Sequence, residues 1–357
     1  MTRSSKILVI NTGGTITMAA QPSGELKASR GEILVDLIKD LTSDLVSIID
    51  VKPLQLADGE VIGTSDSSEV GPMHYDAIAD MIIRENDLYD GFVILHGTDT
   101  MSYTASALSF ALAQNSKPVV ITGAQVPLSK PGSDGLQNLR LALFVADQAG
   151  NSLPELTEVM ICFAGKLMRG NRSRKSSTRS AIGFSTPNAQ ILGELFPEPT
   201  IFAEQLRRPP SSYPTLSRDS LGFSDKVLSI NLSPGFTGDM LLKIIEGSDI
   251  EGLVVRVFGS GTAPSAFNLA EVVAKAKQST NNRFKCAVIV TDVYNGSLDI
   301  MRYAAGKNLR SDDIIDGRDM TPEAAVTKLM WALGSDNRKG QLLKILGTAI
   351  CGEMSGH

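Results

Sequence analysis

The sequence predicts an α/β fold in two parts. A larger N-terminal domain carries a parallel or mixed sheet with helices on both faces, linked to a smaller α/β C-terminal domain with a parallel sheet. Three observations carry this. Aliphatic runs of strand length end repeatedly in small or polar turns, helical patterns lie between them, and one proline- and serine-rich stretch interrupts the series. Continuous β-branched runs are what strands covered on both faces look like. Their alternation with helices implies parallel pairing. At 357 residues the chain also exceeds the roughly 250–300 residues at which a single core stops growing.

Taken in order, the first run is "KILVI" (6–10), which breaks into "NTGGT". A helical pattern at 75–86 leads to "GFVILHG" (91–97), one at 102–114 to "PVVITGA" (118–124), and one at 135–148 to "EVMICFAG" (158–165). The segment "RRPPSSYPTLSRDSLGFSD" (207–225) has three prolines and no apolar periodicity, so it reads as a linker. The expected domains are therefore 1–206 and 226–357. Beyond the linker the series resumes, with strands at "GLVVRVFG" (252–259) and "AVIVTD" (287–292). No internal repeat of fixed period is visible.

Composition narrows the class of function. Hydrophobic residues make up 42% and charged residues 20%, as in ordinary globular proteins. A net charge of −5 argues against a nucleic-acid surface spread over the molecule. Cys162, Cys286 and Cys351 form no CxxC pair, which fits reduced, buried thiols better than a disulfide framework. His74, His96 and His357 are too scattered to suggest a zinc site, so no metal is expected. "MTRSSK" enters the first strand without an apolar leader, and no stretch is apolar enough to span a membrane. A cytoplasmic location without a membrane partner is the expectation.

Ligands of such sheets bind beyond the carboxyl ends of the strands, so "NTGGT", "HGTDT" and "TGAQVP" are the segments to weigh. A glycine turn after the first strand suits phosphate, but "NTGGTITM" has neither the Walker nor the dinucleotide spacing. "GSGTAP" (259–264) matches the latter only in part, with Pro264 in place of the third glycine. The other reading makes a threonine, Thr12 or Thr15, a nucleophile needing a nearby base, with glycines bringing backbone close to a substrate. Asp99 in "HGTDTM" suits a helix cap and equally a receptor for a substrate ammonium. The basic stretch "KLMRGNRSRKSSTRS" (166–180) is a solvated loop or the source of one catalytic lysine. Composition alone does not say which lysine.

Together these segments resemble the L-asparaginase family, specifically its cytoplasmic type I branch, over nearly the whole chain. "TGGTI" (12–16) and "DGFVILHGTDTM" (90–101) match its two signatures. "SDG" (133–135) with "NL" (138–139), "RGNR" (169–172) and "DMT" (319–321) follow in order. The resemblance implies that Thr15 is the nucleophile, forming an acyl-enzyme as ammonia leaves. It implies that Thr98, Asp99 and Lys175 are the second threonine, the carboxylate for the α-ammonium and the lysine. Ser67 and Ser68 would hold the α-carboxylate, next to Glu69 where the family has aspartate. Ala124, with Gly14 and Gly97, would line the substrate. The family's lid tyrosine is missing: "AAQPSGELKASRGE" follows the first motif, Glu25 or a neighbour takes its place, and the first tyrosine is Tyr75. Arg256 matches an arginine of a separate regulatory site, whose cysteine appears here as Val293.

The resemblance implies hydrolysis of L-asparagine to L-aspartate and ammonia, with weaker action on glutamine, no cofactor, and a homo-dimer or homo-tetramer. Two alternatives stand beside it. A related amidotransferase subunit acts on glutamine carried by tRNA, but it adds an N-terminal domain where this chain begins its first strand near Lys6, and the negative charge suits tRNA badly. A non-catalytic or slow binder of asparagine or aspartate would follow from loss of the lid tyrosine.

Overall fold

The first aliphatic run forms β1 (Lys6–Asn11), buried from Ile7 onward, and the glycine turn after it opens the site. The computed structural model describes residues 5–20, 26–28, 48–56, 58–62, 66–147, 153, 155–207, 216–301 and 304–355. It divides into two compact units, Met1–Leu221 and Gly222–His357. In the first unit, β2 (Met18–Ala20) and β3 (Leu26–Ala28) form an antiparallel hairpin. They are followed by β4 (Ile48–Pro53), helix α1 (Pro72–Glu85), β5 (Gly91–Leu95) and helix α2 (Met101–Ala111). Next come β6 (Val119–Thr122), helix α3 (Gly135–Ala146), β7 (Val159–Phe163) and β8 (Lys166–Arg169). Four short strands complete the unit: β9 (Arg174–Lys175), β10 (Phe184–Ser185), β11 (Gly193–Glu194) and β12 (Thr200–Ile201).

The main sheet is eight-stranded, in the order β12-β11-β8-β7-β6-β5-β1-β4. Strands β4, β1, β5, β6 and β7 run parallel, and β8, β11 and β12 extend the sheet antiparallel. Side chains alternate between faces along a strand. Ile7, Val9, Val93, Leu95, Val120, Met160 and Cys162 share a core with Leu139, Ala142 and Leu143 of α3. The intervening Leu8, Ile10, Phe92, Ile94 and Ile121 are equally 0% exposed, so both faces of the sheet are covered. This is why the strands read as unbroken aliphatic runs. The sheet is mixed only because of the short strands after β7, which carry no periodicity to read.

The second unit holds β13 (Val227–Asn231), α4 (Gly238–Glu246), β14 (Gly252–Val257), α5 (Leu269–Ser279), β15 (Cys286–Thr291) and β16 (Ile314–Asp316). They are followed by α6 (Pro322–Leu333), α7 (Asp336–Lys339) and α8 (Leu342–Gly347). Its four strands pair in chain order, all parallel. Helix starts follow from capping chemistry: Thr237, Asn268 and Thr321 each accept the backbone N–H of the third residue of the helix they open. In "DMTPE", Pro322 takes the first helical position, where its missing N–H costs nothing. The division between units at Leu221/Gly222 falls within 207–225. Residues 216–221 of that stretch belong to the first unit, where Arg218 pairs with Asp80 of α1 at 2.6 Å.

Candidate active site

Strand order places the chemistry. From β1 the chain moves to β4 on one side, then returns to β5 on the other. The loops after β1 and β5 diverge there, which is the switch point where open parallel sheets bind ligands. At that point Gly14 (φ +84) lies so close to Gly97 that a β-carbon on Gly14 would penetrate the Gly97 backbone nitrogen. A β-carbon on Gly97 would in turn lie 2.6 Å from both Cβ and Oγ of Ser67. Gly14, Gly97 and Ser67 thus meet on glycine backbone, and neither glycine tolerates a side chain. The two candidate threonines after β1 separate clearly. The Thr12 hydroxyl donates to the Leu95 carbonyl at 2.8 Å and is consumed by the turn. The hydroxyl of half-buried Thr15 makes no hydrogen bond among the described residues.

Lys175 comes from a separate two-stranded sheet. It sits on β9, whose pairing with β10 sets Lys175 opposite Phe184. Its Nζ donates to Thr98 Oγ1 at 2.7 Å and to Asp99 Oδ1 at 2.6 Å. Thr98 is buried, whereas the Asp99 side chain is 65% exposed and retains a face for a cationic group. Asp99 does not cap α2. The N-cap residue is Thr100, which makes no capping bond and instead donates its hydroxyl to the Ser67 carbonyl at 2.6 Å. Since Lys175 donates to Thr98 Oγ1, the hydroxyl hydrogen of Thr98 is left to point at a third group.

A supporting layer holds these loops. His96 is fully buried, and burial pulls its imidazole down to about 4, so the ring is neutral near pH 7. The Gly97 carbonyl, 2.7 Å from Nδ1, can only accept, so Nδ1 bears the proton and Nε2 accepts from Thr104 at 2.8 Å. After β6, the Asp134 carboxylate accepts the backbone N–H of Gln125 and Val126 at 3.0 Å. Asn138 donates to the Gly123 carbonyl and accepts from the Ala164 N–H. These bonds fix the loop that carries fully buried Ala124. Gln125 Nε2 donates to the Ser177 and Ser180 carbonyls at 3.1 and 3.2 Å, tying the same loop to the turn after Lys175.

The structure therefore gathers Gly14, Ser67, Gly97, Thr98, Asp99 and Lys175, with Thr15 next to Gly14 and exposed Ser68 next to Ser67. Ser68 donates its backbone N–H to Asp66 at 2.9 Å. Glu25 lies outside the described residues. Arg256 is on β14 of the second unit, where its guanidinium contacts Asp292 at 2.6 Å. His96, Gln125 and Asn138 were not singled out by sequence reasoning. For Asp134 and Asn138 the signal was present in "SDG" and "NL". Cys162 and Cys286 are no rival nucleophiles, since burial pushes each thiol up to about 12. Among the described residues no group of histidine, cysteine and acidic side chains could hold a metal ion. No helix among them is long and apolar enough to cross a membrane.

Geometry of this kind, with one unengaged loop hydroxyl, a second hydroxyl on a lysine and an exposed carboxylate, defines an α/β protein whose candidate active site lies at the strand ends. Residues 6–207 match the family model described as Asparaginase, N-terminal, and residues 226–346 match that of the Glutaminase/Asparaginase C-terminal domain. The chain belongs to the asparaginase family. It is 31% identical to the L-asparaginase of Thermococcus kodakarensis, over 98% of this chain and 99% of that protein. It is also 31% identical to L-asparaginase 1 of Escherichia coli, over 99% of each. The solved structure of the thermostable L-asparaginase from T. kodakarensis superimposes with a TM-score of 0.83 at 30% identity, covering 99% of this chain and all of that one.

Proposed function

We propose that the protein hydrolyses L-asparagine to L-aspartate and ammonia through an acyl-enzyme on Thr15, with weaker action on glutamine. The observation that carries this reading is the Lys175–Thr98–Asp99 cluster, in which one ammonium contacts both a hydroxyl and a carboxylate. Thr15 Oγ attacks the side-chain amide carbon. Its proton passes to a base, for which Glu25 is the candidate in place of the absent tyrosine. As the C–N bond breaks, Lys175 passes a proton through Thr98 to the nitrogen, which leaves as ammonia. Water then attacks the ester, its proton returns by the same relay to the lysine amine, and the base gives its proton back to Thr15 Oγ as the ester C–O bond breaks. Asp99, exposed beside the relay, receives the α-ammonium, while Ser67 and Ser68 receive the α-carboxylate. A methylene in an apolar pocket changes recognition by only about 1–3 kcal/mol, but a clamp that fixes both α-groups is less forgiving of glutamine's longer arm.

The relatives named L-asparaginase support this reading over a binder that does not turn over. A cytoplasmic homo-dimer or homo-tetramer is part of the same proposal. The test is ammonia release from asparagine and glutamine by the wild type, Thr15→Ala and Thr98→Ala. Each variant is expected to lose on the order of a thousandfold in kcat. Full turnover in both variants would overturn the site assignment.

A further inference from the structure

The segment Asp66–Gly71 carries Ser67 and Ser68 and runs directly into α1. Besides the turn's own backbone bonds, from the Glu69 N–H to the Asp66 carbonyl and from the Val70 N–H to the Ser67 carbonyl, three bonds that involve side chains hold it. Asp66 accepts the Ser68 N–H, Thr100 donates to the Ser67 carbonyl, and the Gly71 N–H donates to His74 Nδ1 at 3.3 Å. The third is unusual in its chemistry. Gly71 is the N-cap of α1 and offers no side chain to the exposed amides, and the first turn of the helix holds no acidic residue. The reciprocal role at the third helical position, normally a glutamate or glutamine, falls to an imidazole. An imidazole accepts a hydrogen bond only while that nitrogen is unprotonated.

We propose that His74 is a positioning residue for the substrate-carboxylate seat, and that protonating it releases the Ser67–Ser68 turn and weakens asparagine binding without impairing the chemical step. The proposal rests on the asparaginase reading of those serines. Among the described residues, every feature of the surroundings but one opposes a charged ring. A cation in the first turn faces the positive end of the helix dipole. Half-burial lowers the affinity of the ring for a proton from its ordinary 6.5. His96, at the end of β5, is the other ring coupled to it by charge, and it is neutral in this range. Among the described residues only Glu69, on the turn before α1, favours protonation. The ring therefore stays neutral down to below its ordinary 6.5, and taking up a proton costs it the Gly71 bond. Asparagine's own α-groups do not titrate between pH 7 and pH 5.

The experiment is KM and kcat for asparagine between pH 7 and pH 5, on the wild type, His74→Gln and His74→Leu. Glutamine retains an acceptor that cannot titrate, whereas leucine removes it. Wild-type KM is expected to rise by about three- to tenfold over the interval, as the competent fraction falls. His74→Gln should keep the neutral-pH KM and stay flat, and His74→Leu should show the raised KM throughout, with kcat little changed in all three. Thermal midpoints at pH 7 show that each variant is folded. A flat wild-type KM, or an equal rise in His74→Gln, overturns the proposal. A 15N–1H titration of the full chain reads the link without turnover: the Gly71 amide must shift with the His74 ring, and an amide that stays still overturns it. Absence of ammonia release at every pH, with the amide shifting, would instead count against the asparaginase reading.

Discussion

Lys175 decides whether the two threonine loops amount to a reaction. Its ammonium lies 2.7 Å from Thr98 Oγ1 and 2.6 Å from Asp99 Oδ1, and its side chain is only 18% exposed. A relay through it requires a group that gives up and retakes a proton. Lysine meets this requirement, and arginine, charged at all working pH values, does not. Lys175→Met should therefore lower kcat by about 10²–10⁴-fold with KM within a few-fold, measured by steady-state ammonia release. Lys175→Arg keeps the charge beside Asp99 and should remain as slow. Wild-type kcat in the arginine variant would show that the charge alone matters. The residue itself was only partly legible. "RSRKSS" offers a basic loop, and the motif match singles out Lys175, but what makes it reach Thr98 is the two-residue pairing of β9 with β10. Pairing that short leaves no periodic trace.

At the scale of elements, the site is a set of strand ends pinned by side chains from helix starts. Asp134, just before α3, is the clearest pin. One carboxylate accepts the Gln125 and Val126 amides and the Asn138 side-chain amide at 3.2 Å. Hydrogen bonds to a charged partner contribute about 1.5–3 kcal/mol each, and amides left unmatched cost more than the bond was worth. Asp134→Ala should therefore destabilise the protein by about 2–4 kcal/mol, read by denaturant unfolding, and loosen the loop bearing Ala124. Loss of under about 0.5 kcal/mol would mean that water replaces the carboxylate at no cost. Parallel strands and helices were legible because burial on both faces leaves long aliphatic runs in the sequence. The motif match marked Asp134 and Asn138 but not what they bind, because an aspartate before a helix reads as a cap, whereas Asp134 makes no capping bond and reaches back across the loop. Asp99 was open in the same way, as a cap or as a receptor for an ammonium, and the N-cap is Thr100 instead. Only tertiary structure shows which group an acidic side chain meets.

At the scale of the whole molecule, one feature of the second unit sits outside the chemistry and bears on its stability. Lys328 of α6 and Glu353 near the C-terminus form an ion pair at 2.6 Å, each side chain 0% exposed. Lys328 also donates to the Leu346 and Thr348 carbonyls, and Glu353 accepts the backbone N–H of Ile350 and Cys351. The pair thus fastens the segment after α8 to the helix that follows the sheet. Breaking it from one side strands a buried charge, so Lys328→Met should cost about 3–5 kcal/mol. Adding Glu353→Gln restores neutrality and keeps an acceptor for the two amides, so the double variant should recover much of that loss. Acid supplies the second signature. Burial pushes the Glu353 carboxyl up, but the Lys328 ammonium and backbone N–H bonds outweigh it and hold the group below its ordinary 4.5, so the unfolded chain binds this proton more tightly than the folded one. Stability from this group is complete above the unfolded value and drains away as pH falls below 4.5 through the folded value. Unfolding free energies between pH 6 and pH 3 should therefore fall less steeply in the double variant than in the wild type. Equal slopes would place the acid sensitivity of the molecule in other carboxylates.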